Sequence, residues 1–322
     1  MIEVKQRQLK IFSGRAHPTV AADIARELGV DLCEVELSDF ANGEIHARIM
    51  ESVRGHDVFV VQSHSGNINN SIIEQAIMID SAKRASAGSI TAVCPFFGYA
   101  RQDRKASGRE PISARLMVDI LVNAGAARIV SVDLHTGQIQ GFMDGPFDHL
   151  IARPILIDYL SKNFPKDDLV IVSPDAGRVK SAERYSTALK CGMAIIHKNR
   201  SVSARNTVEA RHLIGDVANK TCILVDDMID TAGTLCAAAD LVAQHGAKEI
   251  YGVATHGLFC GPAKDKIAKS SFKEIIVTDT LPQDGQIKKL VVLPIAPLLA
   301  SAIKEIHSGG SISALFPDGN QF

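Results

Sequence analysis

The feature that most constrains the fold is a unit that occurs three times: a helix-like segment, a glycine, and a short run rich in Ile and Val. The three copies occupy residues 85–93, 122–132 and 244–253. A glycine just past a helix end is typical of a left-handed stop, which predicts that role for Gly88, Gly125 and Gly246. Short continuous apolar runs are typical of strands buried on both faces. The pattern therefore predicts strands that alternate with helices, an arrangement that forms parallel sheets covered by helices.

Further apolar runs extend this alternation along the chain. Strands are predicted at residues 57–61, 90–94, 129–132, 168–173, 222–225 and 274–278. Residues 141–154 are punctuated by Gly and Pro, and the strand–helix alternation begins again at residue 168. A chain of 322 residues is also long enough for two domains. We therefore predict an α/β protein with domains over residues 1–150 and 151–322, each a mostly parallel sheet flanked by helices.

Charge and composition exclude several classes of partner. Lys and Arg number 35 and Asp and Glu number 36, for a formal net charge of −1. This balance provides no global positive field for a nucleic-acid backbone, so anion binding must come from local clusters. The first residues lack the apolar core of a signal peptide, and no apolar run approaches membrane-spanning length. The six cysteines are scattered without a CxxC pair. We expect a cytoplasmic protein with reduced thiols and neither nucleic-acid nor membrane partners.

One predicted strand end combines carboxylates with phosphate-binding features. Residues 222–234 read CILVDDMIDTAGT, in which an apolar strand leads to Asp226 and Asp227 and a short turn opens a helix over residues 235–245. Ligands of open α/β sheets bind beyond such strand ends. Backbone N–H groups of the turn and the helix N-terminus suit a phosphate, and Thr231 and Thr234 add hydroxyl donors. Adjacent carboxylates accept hydrogen bonds from vicinal hydroxyls and can also hold a metal. The window predicts a sugar-phosphate site, the alternative being a capped helix beside a solvated Asp pair.

A second cluster is basic. Residues 96–109, FFGYARQDRKASGR, follow the predicted strand at residues 90–94. Four cations in this stretch are opposed only by Asp103; they are Arg101, Arg104, Lys105 and Arg109. Such a cluster is able to clamp a polyphosphate. The alternative is a solvated surface loop, which is the usual place for a run of charges.

These motifs together resemble one enzyme family. Residues 225–234 resemble the ribose 5-phosphate loop shared by phosphoribosyltransferases and phosphoribosyl pyrophosphate synthetases, whereas PFFGYARQDRK resembles the ATP loop of the class I synthetases, or ribose-phosphate pyrophosphokinases, alone. The resemblance runs from residue 11 to about residue 316 with the motifs in family order. It implies two domains of phosphoribosyltransferase type in a homohexamer. It also implies transfer of the pyrophosphoryl group of MgATP to the 1-hydroxyl of ribose 5-phosphate, giving phosphoribosyl pyrophosphate and AMP for nucleotide biosynthesis.

The resemblance also implies roles for individual residues. ATP would be bound by Phe40, Asn42, Gly43, Glu44, Arg101 and Gln102. Mg²⁺ would be held by His135 and Asp175, and the transferring group would be stabilised by the catalytic pair Lys198 and Arg200. Ribose 5-phosphate would be bound by Arg200, Asp226, Asp227, Asp230, Thr231, Ala232, Gly233 and Thr234. Because Mg²⁺ prefers oxygen ligands and retains waters, we expect mixed or outer-shell contact at His135. No residue is an obvious general base.

One position departs from the family pattern, and two other functions stay open. Arg178 follows residues 174–177 where the family has a second glycine, which raises the question of whether this loop keeps the family conformation. A phosphoribosyltransferase, or a non-catalytic regulatory subunit that resembles the synthetase, are the alternative functions. The tail at residues 308–313, SGGSIS, predicts a backbone nest for an anion. By resemblance, such a site at a subunit interface would bind inorganic phosphate as activator and ADP as inhibitor.

Overall fold

The chain forms two units that do not correspond to a single cut in the sequence. The computed structural model describes residues 7–199 and 210–316, with only the backbone described at positions 198, 199, 210 and 211. Unit 1 takes the chain through Ile151 together with Thr280–Pro282 and the segment from Ile295 onward. Unit 2 consists of Ala152–Asp279 and Gln283–Pro294. The first boundary lies within the Gly- and Pro-rich stretch, whereas the last helix belongs with unit 1.

Unit 1 is built on a parallel sheet with a separate hairpin. Its strands are β1 Leu9–Ser13, β2 Val35–Asp39, β3 Ile45–Ile49, β4 Asp57–Val61, β5 Ser89–Cys94, β6 Arg128–Val132 and β7 Phe147–Leu150. Its helices are α1 Pro18–Leu28, α2 Ile68–Arg84, α3 Ser113–Ala124 and the last helix of the chain, α8 Ala296–Ser308. The sheet has the order β1-β4-β5-β6-β7 with every pair parallel, and β2 and β3 pair only with each other, antiparallel.

Unit 2 contains a larger sheet. Its strands are β8 Leu169–Ser173, β9 Gly192–Asn199, β10 Ala210–Ile214, β11 Thr221–Ile229, β12 Glu249–Gly257, β13 Glu274–Thr278 and β14 Leu290–Leu293. Its helices are α4 Arg153–Asn163, α5 Val179–Leu189, α6 Gly233–Gln244 and α7 Ala263–Lys269. The strand order is β10-β9-β8-β11-β12-β13-β14, and only the edge pair β9–β10 is antiparallel. Short 3₁₀ helices lie at Gly137–Phe142, Lys166–Asp168, Ala176–Arg178 and Ile312–Leu315.

The central strands of the two sheets are buried on both faces, as their apolar runs predict. Every residue of β4 and of β8 is buried, and the adjacent helices turn their apolar stripes toward the sheets. Helices covering both faces of a parallel sheet exclude water from its backbone, which is why these strands do not alternate polar and apolar residues. The predicted α/β class with mostly parallel sheets is confirmed. None of the described helices is long and apolar enough to cross a membrane.

The last helix joins unit 1 through apolar packing and one contact between a histidine and a carboxylate. Helix α8 lies against α1 and buries Leu299 and Ile303. His307 in its last turn approaches Asp57 at the start of β4, with Nδ1 to Oδ2 at 2.9 Å. The short segment Thr280–Pro282 also belongs to unit 1, where the Ser63 hydroxyl donates to the Thr280 carbonyl oxygen. These long-range contacts explain why residues from the end of the chain complete the first unit.

The glycine stops are confirmed at two of the three predicted positions. Gly125 and Gly246 follow α3 and α6 with φ of 131° and 82°. The prediction for Gly88 was wrong, because the left-handed residue after α2 is Ser86, with φ of 64°. Gly88 is needed for a different reason: a Cβ there would lie 2.7 Å from the carbonyl oxygen of Gly55. Glycine at this position permits close approach of two backbone segments.

Candidate active site

The acidic pair lies within the last part of β11 rather than beyond its end. β11 was expected to stop at residue 225, but its pairing with β12 continues to Ile229, after its pairing with β8 has stopped at Leu224. One edge of β11 is therefore open where Asp226 and Asp227 lie. Their side chains are only 21% and 11% exposed. The strand thus holds two adjacent carboxylates, mostly out of solvent, beside the loop that follows β8.

The turn between β11 and α6 has the geometry expected of a phosphate loop. Ala232 adopts φ of 56°, a left-handed conformation that is strained for a residue with a Cβ. Strain of this kind tends to persist where function requires it. Helix α6 begins at Gly233, and in the described structure no side chain caps it. The N–H groups of its first turn therefore have no capping acceptor. Unsatisfied N–H groups at a helix N-terminus form a site for an anion.

A cation beside this turn was missed from the sequence. A Cβ built on Gly233 would lie 3.2 Å from Nζ of Lys266, which is an exposed residue on α7. Within the described ranges this ammonium makes no hydrogen bond or ion pair. No local pattern marks Lys266, because only the packing of α7 beside α6 brings it to the turn. The phosphate loop therefore has a nearby positive charge besides the backbone dipoles.

The loop after β8 presents Asp175. Its Oδ1 accepts the backbone N–H of Gly177 at 2.9 Å and that of Arg178 at 3.2 Å. Among the described residues, the hydrogen bonds to this carboxylate all end on Oδ1, so Oδ2 keeps its lone pairs. A half-buried carboxylate oxygen of this kind fits Mg²⁺, which prefers hard oxygen ligands and keeps several waters.

Arg178, at the position where a glycine was expected from the resemblance, fits this loop without strain. Arg178 has φ of −101°, so the conformation seen here does not require glycine. Its side chain crosses to β11, where Nε lies 3.0 Å from Asp226 Oδ1 and Nη2 lies 2.6 Å from Asp227 Oδ2. Burial, together with the neighbouring charge of Asp227, raises the pKa of Asp226 well above its ordinary value, and Arg178 offsets part of this increase.

The start of the basic loop of unit 1 is held by a buried histidine, His64. The backbone N–H of Gly98 donates to His64 Nδ1 at 2.9 Å, and the other ring nitrogen lies 2.9 Å from Gln75 Oε1. Gln75 in turn donates to the carbonyl oxygen of Val60 on β4 at 3.0 Å. Because Nδ1 accepts a hydrogen bond, the proton of the neutral ring lies on Nε2. Complete burial lowers the pKa of His64 to about 4. A neutral imidazole therefore fixes the point where the loop leaves β5.

This burial predicts acid sensitivity. The unfolded chain binds a proton at His64 below about pH 6.5, whereas the folded chain does so only near pH 4, so stability falls as the pH drops through this window. We expect His64→Asn to lose this dependence, so that the difference in unfolding free energy between wild type and variant shrinks by about 2 kcal/mol from about pH 7 to about pH 4.5. Urea unfolding at several pH values measures it, with His245→Asn at an exposed position as control. Parallel pH profiles for wild type and His64→Asn would contradict the prediction.

The cations of the basic loop are not neutralised by their acidic neighbour. Asp103 was expected to oppose them, but it is buried and accepts hydrogen bonds from the Thr136 hydroxyl, at 2.6 Å, and from Gln138 Nε2. Arg104, Lys105 and Arg109 are exposed and form no ion pair within the described part of the chain. Three unpaired cations therefore remain on one loop, as binding of a polyphosphate requires.

Asp103 also connects two loops that follow neighbouring strands. Both donors contact the same carboxylate oxygen, Oδ2, so Asn keeps an acceptor there but loses the charge, and both hydrogen bonds weaken. We expect Asp103→Asn to raise the KM for ATP by about tenfold, the scale of removing the charge from two hydrogen bonds. Steady-state kinetics with MgATP varied at saturating ribose 5-phosphate measure this. Asp119→Asn, an exposed ion-pair partner on α3, is the matched control. An unchanged KM would show that the anchor does not act on ATP binding.

The predicted metal-binding histidine lies on the loop after β6. Asp133 adopts φ of 36°, and the next residue, Leu134, donates its N–H to Nε2 of the buried His149 at 2.9 Å. His135 follows and is half-buried. Asp175 belongs to unit 2, so joint binding of Mg²⁺ by the two stays a prediction. Within residues 7–199 and 210–316, no group of three or more His, Cys, Asp or Glu side chains has an arrangement that would hold a metal.

The residues at positions 40–44 that were predicted to bind ATP form the tip of the β2–β3 hairpin. Phe40 donates its N–H to the Glu44 carbonyl oxygen at 2.8 Å, and Gly43 makes the turn with φ of 87°. Asn42 Oδ1 accepts the N–H of Glu44 at 3.2 Å. The Phe40 ring is 56% exposed, which is unusual for a large apolar side chain. An exposed ring at a fixed turn is suited to stacking on a purine.

The remaining predicted residues are placed only in part. Gln102 is tied into the fold, because its Oε1 accepts the hydroxyl of Ser113 at the start of α3 at 2.6 Å. Arg101 is exposed on the same loop. Lys198 lies on β9 opposite Arg211 of β10, with only its backbone described, and Arg200 lies outside the described residues. The catalytic roles of Lys198 and Arg200 therefore stay predictions.

Comparison with known proteins decides the family. A model of the N-terminal domain of ribose phosphate pyrophosphokinase matches residues 9–125, and a model of the phosphoribosyl synthetase-associated domain matches residues 211–317. The chain is 51% identical over 315 residues to ribose-phosphate pyrophosphokinase of Streptomyces avermitilis, covering 97% of both chains. It is 52% identical over 312 residues to the protein of that name from Corynebacterium efficiens, covering 96% of both. This chain belongs to the ribose-phosphate pyrophosphokinase family.

A solved structure supports the same assignment. The crystal structure of phosphoribosylpyrophosphate synthetase from Mycobacterium smegmatis matches with a TM-score of 0.89 at 50% identity, covering 94% of this chain and 100% of that chain. The resemblance inferred from the motifs is confirmed, and with it the enzyme class, a ribose-phosphate diphosphokinase. The phosphoribosyltransferase alternative is set aside, because membership of the pyrophosphokinase family extends over nearly the whole chain.

Proposed function

We propose that this chain transfers the pyrophosphoryl group of MgATP to the 1-hydroxyl of ribose 5-phosphate, giving phosphoribosyl pyrophosphate and AMP for nucleotide biosynthesis. The observation that carries the proposal is the union of an acidic pair and an uncapped helix N-terminus within residues 226–234. Carboxylates accept hydrogen bonds from vicinal hydroxyls, and helix N–H groups bind phosphate. Few ligands other than a sugar phosphate satisfy both ends of this segment.

The ATP side of the proposal rests on unit 1. Arg104, Lys105 and Arg109 project unpaired from a loop whose first residues are held by the buried His64. The exposed ring of Phe40 provides a surface on which adenine would stack. Arg101 and Gln102 are further ATP contacts in this proposal, together with the turn residues of the hairpin.

Catalysis in this proposal depends on alignment and charge neutralisation, since transfer of a phosphoryl-type group asks little covalent chemistry of the protein. Bound Mg²⁺, held by Asp175 and His135 and by retained waters, would neutralise charge on the phosphate oxygens. Lys198, Arg200 and Arg101 would oppose the charge that develops on the transferring group. We assign no general base.

A homohexameric state, a cytoplasmic location, activation by phosphate and inhibition by ADP complete the proposal. The tail at residues 308–313 was predicted to bind an anion. One of its backbone donors is used by a carboxylate of the same chain, because Glu305 Oε2 accepts the N–H of Ser311 at 2.9 Å. Gly309 before it has φ of 70°. An external anion would have to displace Glu305 to use that donor.

Phosphorus NMR of the purified chain with ATP, Mg²⁺, ribose 5-phosphate and inorganic phosphate tests the reaction. AMP and a C1-diphosphate that appear only when ribose 5-phosphate is present are expected. Formation of ADP instead would mean ordinary kinase chemistry and would contradict the proposal. No turnover over a range of phosphate and metal concentrations would favour the remaining alternative, a non-catalytic regulatory subunit.

A further inference from the structure

The arginine at the position of the family glycine bridges both members of the acidic pair. Arg178 comes from the loop after β8, and the carboxylates lie on the adjacent strand β11. One guanidinium reaches Asp226 through Nε at 3.0 Å and Asp227 through Nη2 at 2.6 Å. The arginine side chain is itself only 22% exposed, so the three charged groups form one largely enclosed cluster. A fork of fixed geometry contacting two acids restricts the orientation of both.

The described contacts of Asp226 leave one of its carboxylate oxygens as an acceptor. Among the described residues, two N–H donors contact Asp226, Nε of Arg178 and the backbone N–H of Asp227 at 2.8 Å, and both contact Oδ1. The guanidinium contact on Asp227 ends on Oδ2. Each carboxylate oxygen carries two lone pairs, so Asp226 Oδ2 in particular stays able to accept from a hydroxyl. The arginine therefore orients the pair while leaving Oδ2 of Asp226 for a ligand.

The positive charge of Arg178 has a second effect, on the repulsion between the two carboxylates. Two adjacent carboxylates with little solvent repel each other, and they would also repel a phosphate group bound at residues 230–234. One guanidinium in contact with both offsets part of their negative charge. Without it the acidic pair would be less favourable for hydroxyl recognition and for the phosphate that follows on the same loop.

We propose that Arg178 is a positioning residue for ribose 5-phosphate, which holds Asp226 and Asp227 oriented and partly neutralised so that they receive the ribose hydroxyls. This inference rests on the proposed function of the site. It makes Arg178 a determinant of affinity for the sugar and of the preference for a sugar with both hydroxyls. The opposite role, a guanidinium that competes with ribose for the carboxylates, would give the opposite sign when the arginine is removed.

Direct binding and kinetics on Arg178→Gln and Arg178→Lys test the inference. We expect Arg178→Gln to weaken ribose 5-phosphate binding, measured by calorimetry without ATP, and to raise its KM, each by about tenfold, the scale of hydrogen bonds to a charged group. The KM for ATP and the turnover at saturation should stay within about twofold. Arg178→Lys keeps the charge without the fork and should recover part of the affinity. Arg84→Gln removes an exposed arginine paired to Asp80 on α2 and is the matched control.

Sugar discrimination provides a readout that a purely structural role would not change. Wild type should bind ribose 5-phosphate more tightly than 2-deoxyribose 5-phosphate, and the ratio should fall toward one in Arg178→Gln. Unchanged affinity and ratio, or tighter binding, in the variant would overturn the inference. If Arg178→Gln does not fold, the lysine variant decides on the same criteria. Wild type that binds ribose 5-phosphate without making AMP would overturn the proposed reaction alone.

Discussion

Turnover should fall by about 10²–10³ when Lys198 is replaced with Ala, with both substrates saturating. A cation that contacts the transferring group only as its charge develops contributes to kcat and little to ground-state binding. Lys198 lies on β9, where its backbone pairs with Arg211 of β10, and β9 pairs with β8 over residues 192–195, so we expect the replacement to leave the strand pairing intact. Loss of one preorganised electrostatic stabiliser is the effect expected.

Rapid-quench or steady-state measurement of AMP formation gives kcat and both KM values for Lys198→Ala. Lys162→Ala serves as control, because Lys162 is an exposed partner of Asp158 on α4. A thermal melt verifies that the variant is folded. Near-normal turnover in Lys198→Ala would remove the residue from the proposed catalytic role, and a rise in KM alone would reassign it to substrate binding.

Replacing Asp226 with Asn should separate function from stability. Asn offers one acceptor oxygen without charge, so ribose 5-phosphate binding should weaken by about 10²-fold, the scale of one or two hydrogen bonds to a charged acceptor. The folded protein should nevertheless become more stable above neutral pH. Because burial raises the pKa of Asp226, the folded chain holds a proton that the unfolded chain has released, and wild-type stability falls as pH rises from the ordinary carboxyl range toward neutral. The variant lacks this penalty.

Urea unfolding of wild type and Asp226→Asn at about pH 5 and about pH 8 checks the stability half, and calorimetric titration with ribose 5-phosphate checks the binding half. Asp158→Asn, an exposed carboxylate on α4, is the control for both. Wild-type affinity in the variant would contradict the assignment of Asp226 to the ribose. A destabilised variant at high pH would show that Arg178 outweighs the burial of the acid.

Local patterns predicted the parallel strands and the loops that follow them, because burial on both faces and the turn residues are encoded in short stretches. The hairpin of β2 and β3 was not predicted: its residues are mostly half-buried or exposed, so they carry little apolar signal. The packing of α8 on α1 was not predictable from periodicity, which shows that a helix has an apolar face but not which element covers it.

Within the candidate site, the sequence identified which residues are present but not which neighbours their side chains contact. From the sequence, Asp103 was expected to oppose the cations of the basic loop, but its carboxylate accepts a hydrogen bond from Thr136. From the sequence, Arg178 put the conformation of its loop in doubt, whereas in the structure its side chain contacts Asp226 on the neighbouring strand β11. Both outcomes depend on contacts across the sheet, which linear spacing does not encode. His64 had no signal at all, because a lone histidine looks the same whether it anchors a loop or faces solvent.

The division of the chain has a consequence for the order of events at the ribosome. Along the sequence, unit 2 lies almost wholly between the two main pieces of unit 1, and α8 follows the last described strand of unit 2. α8 is therefore synthesised after the described strands of unit 2, which end at Leu293, and α1 cannot pack against α8 before that. We expect unit 1, although it begins first in the sequence, to complete its packing after the strands of unit 2 have been synthesised.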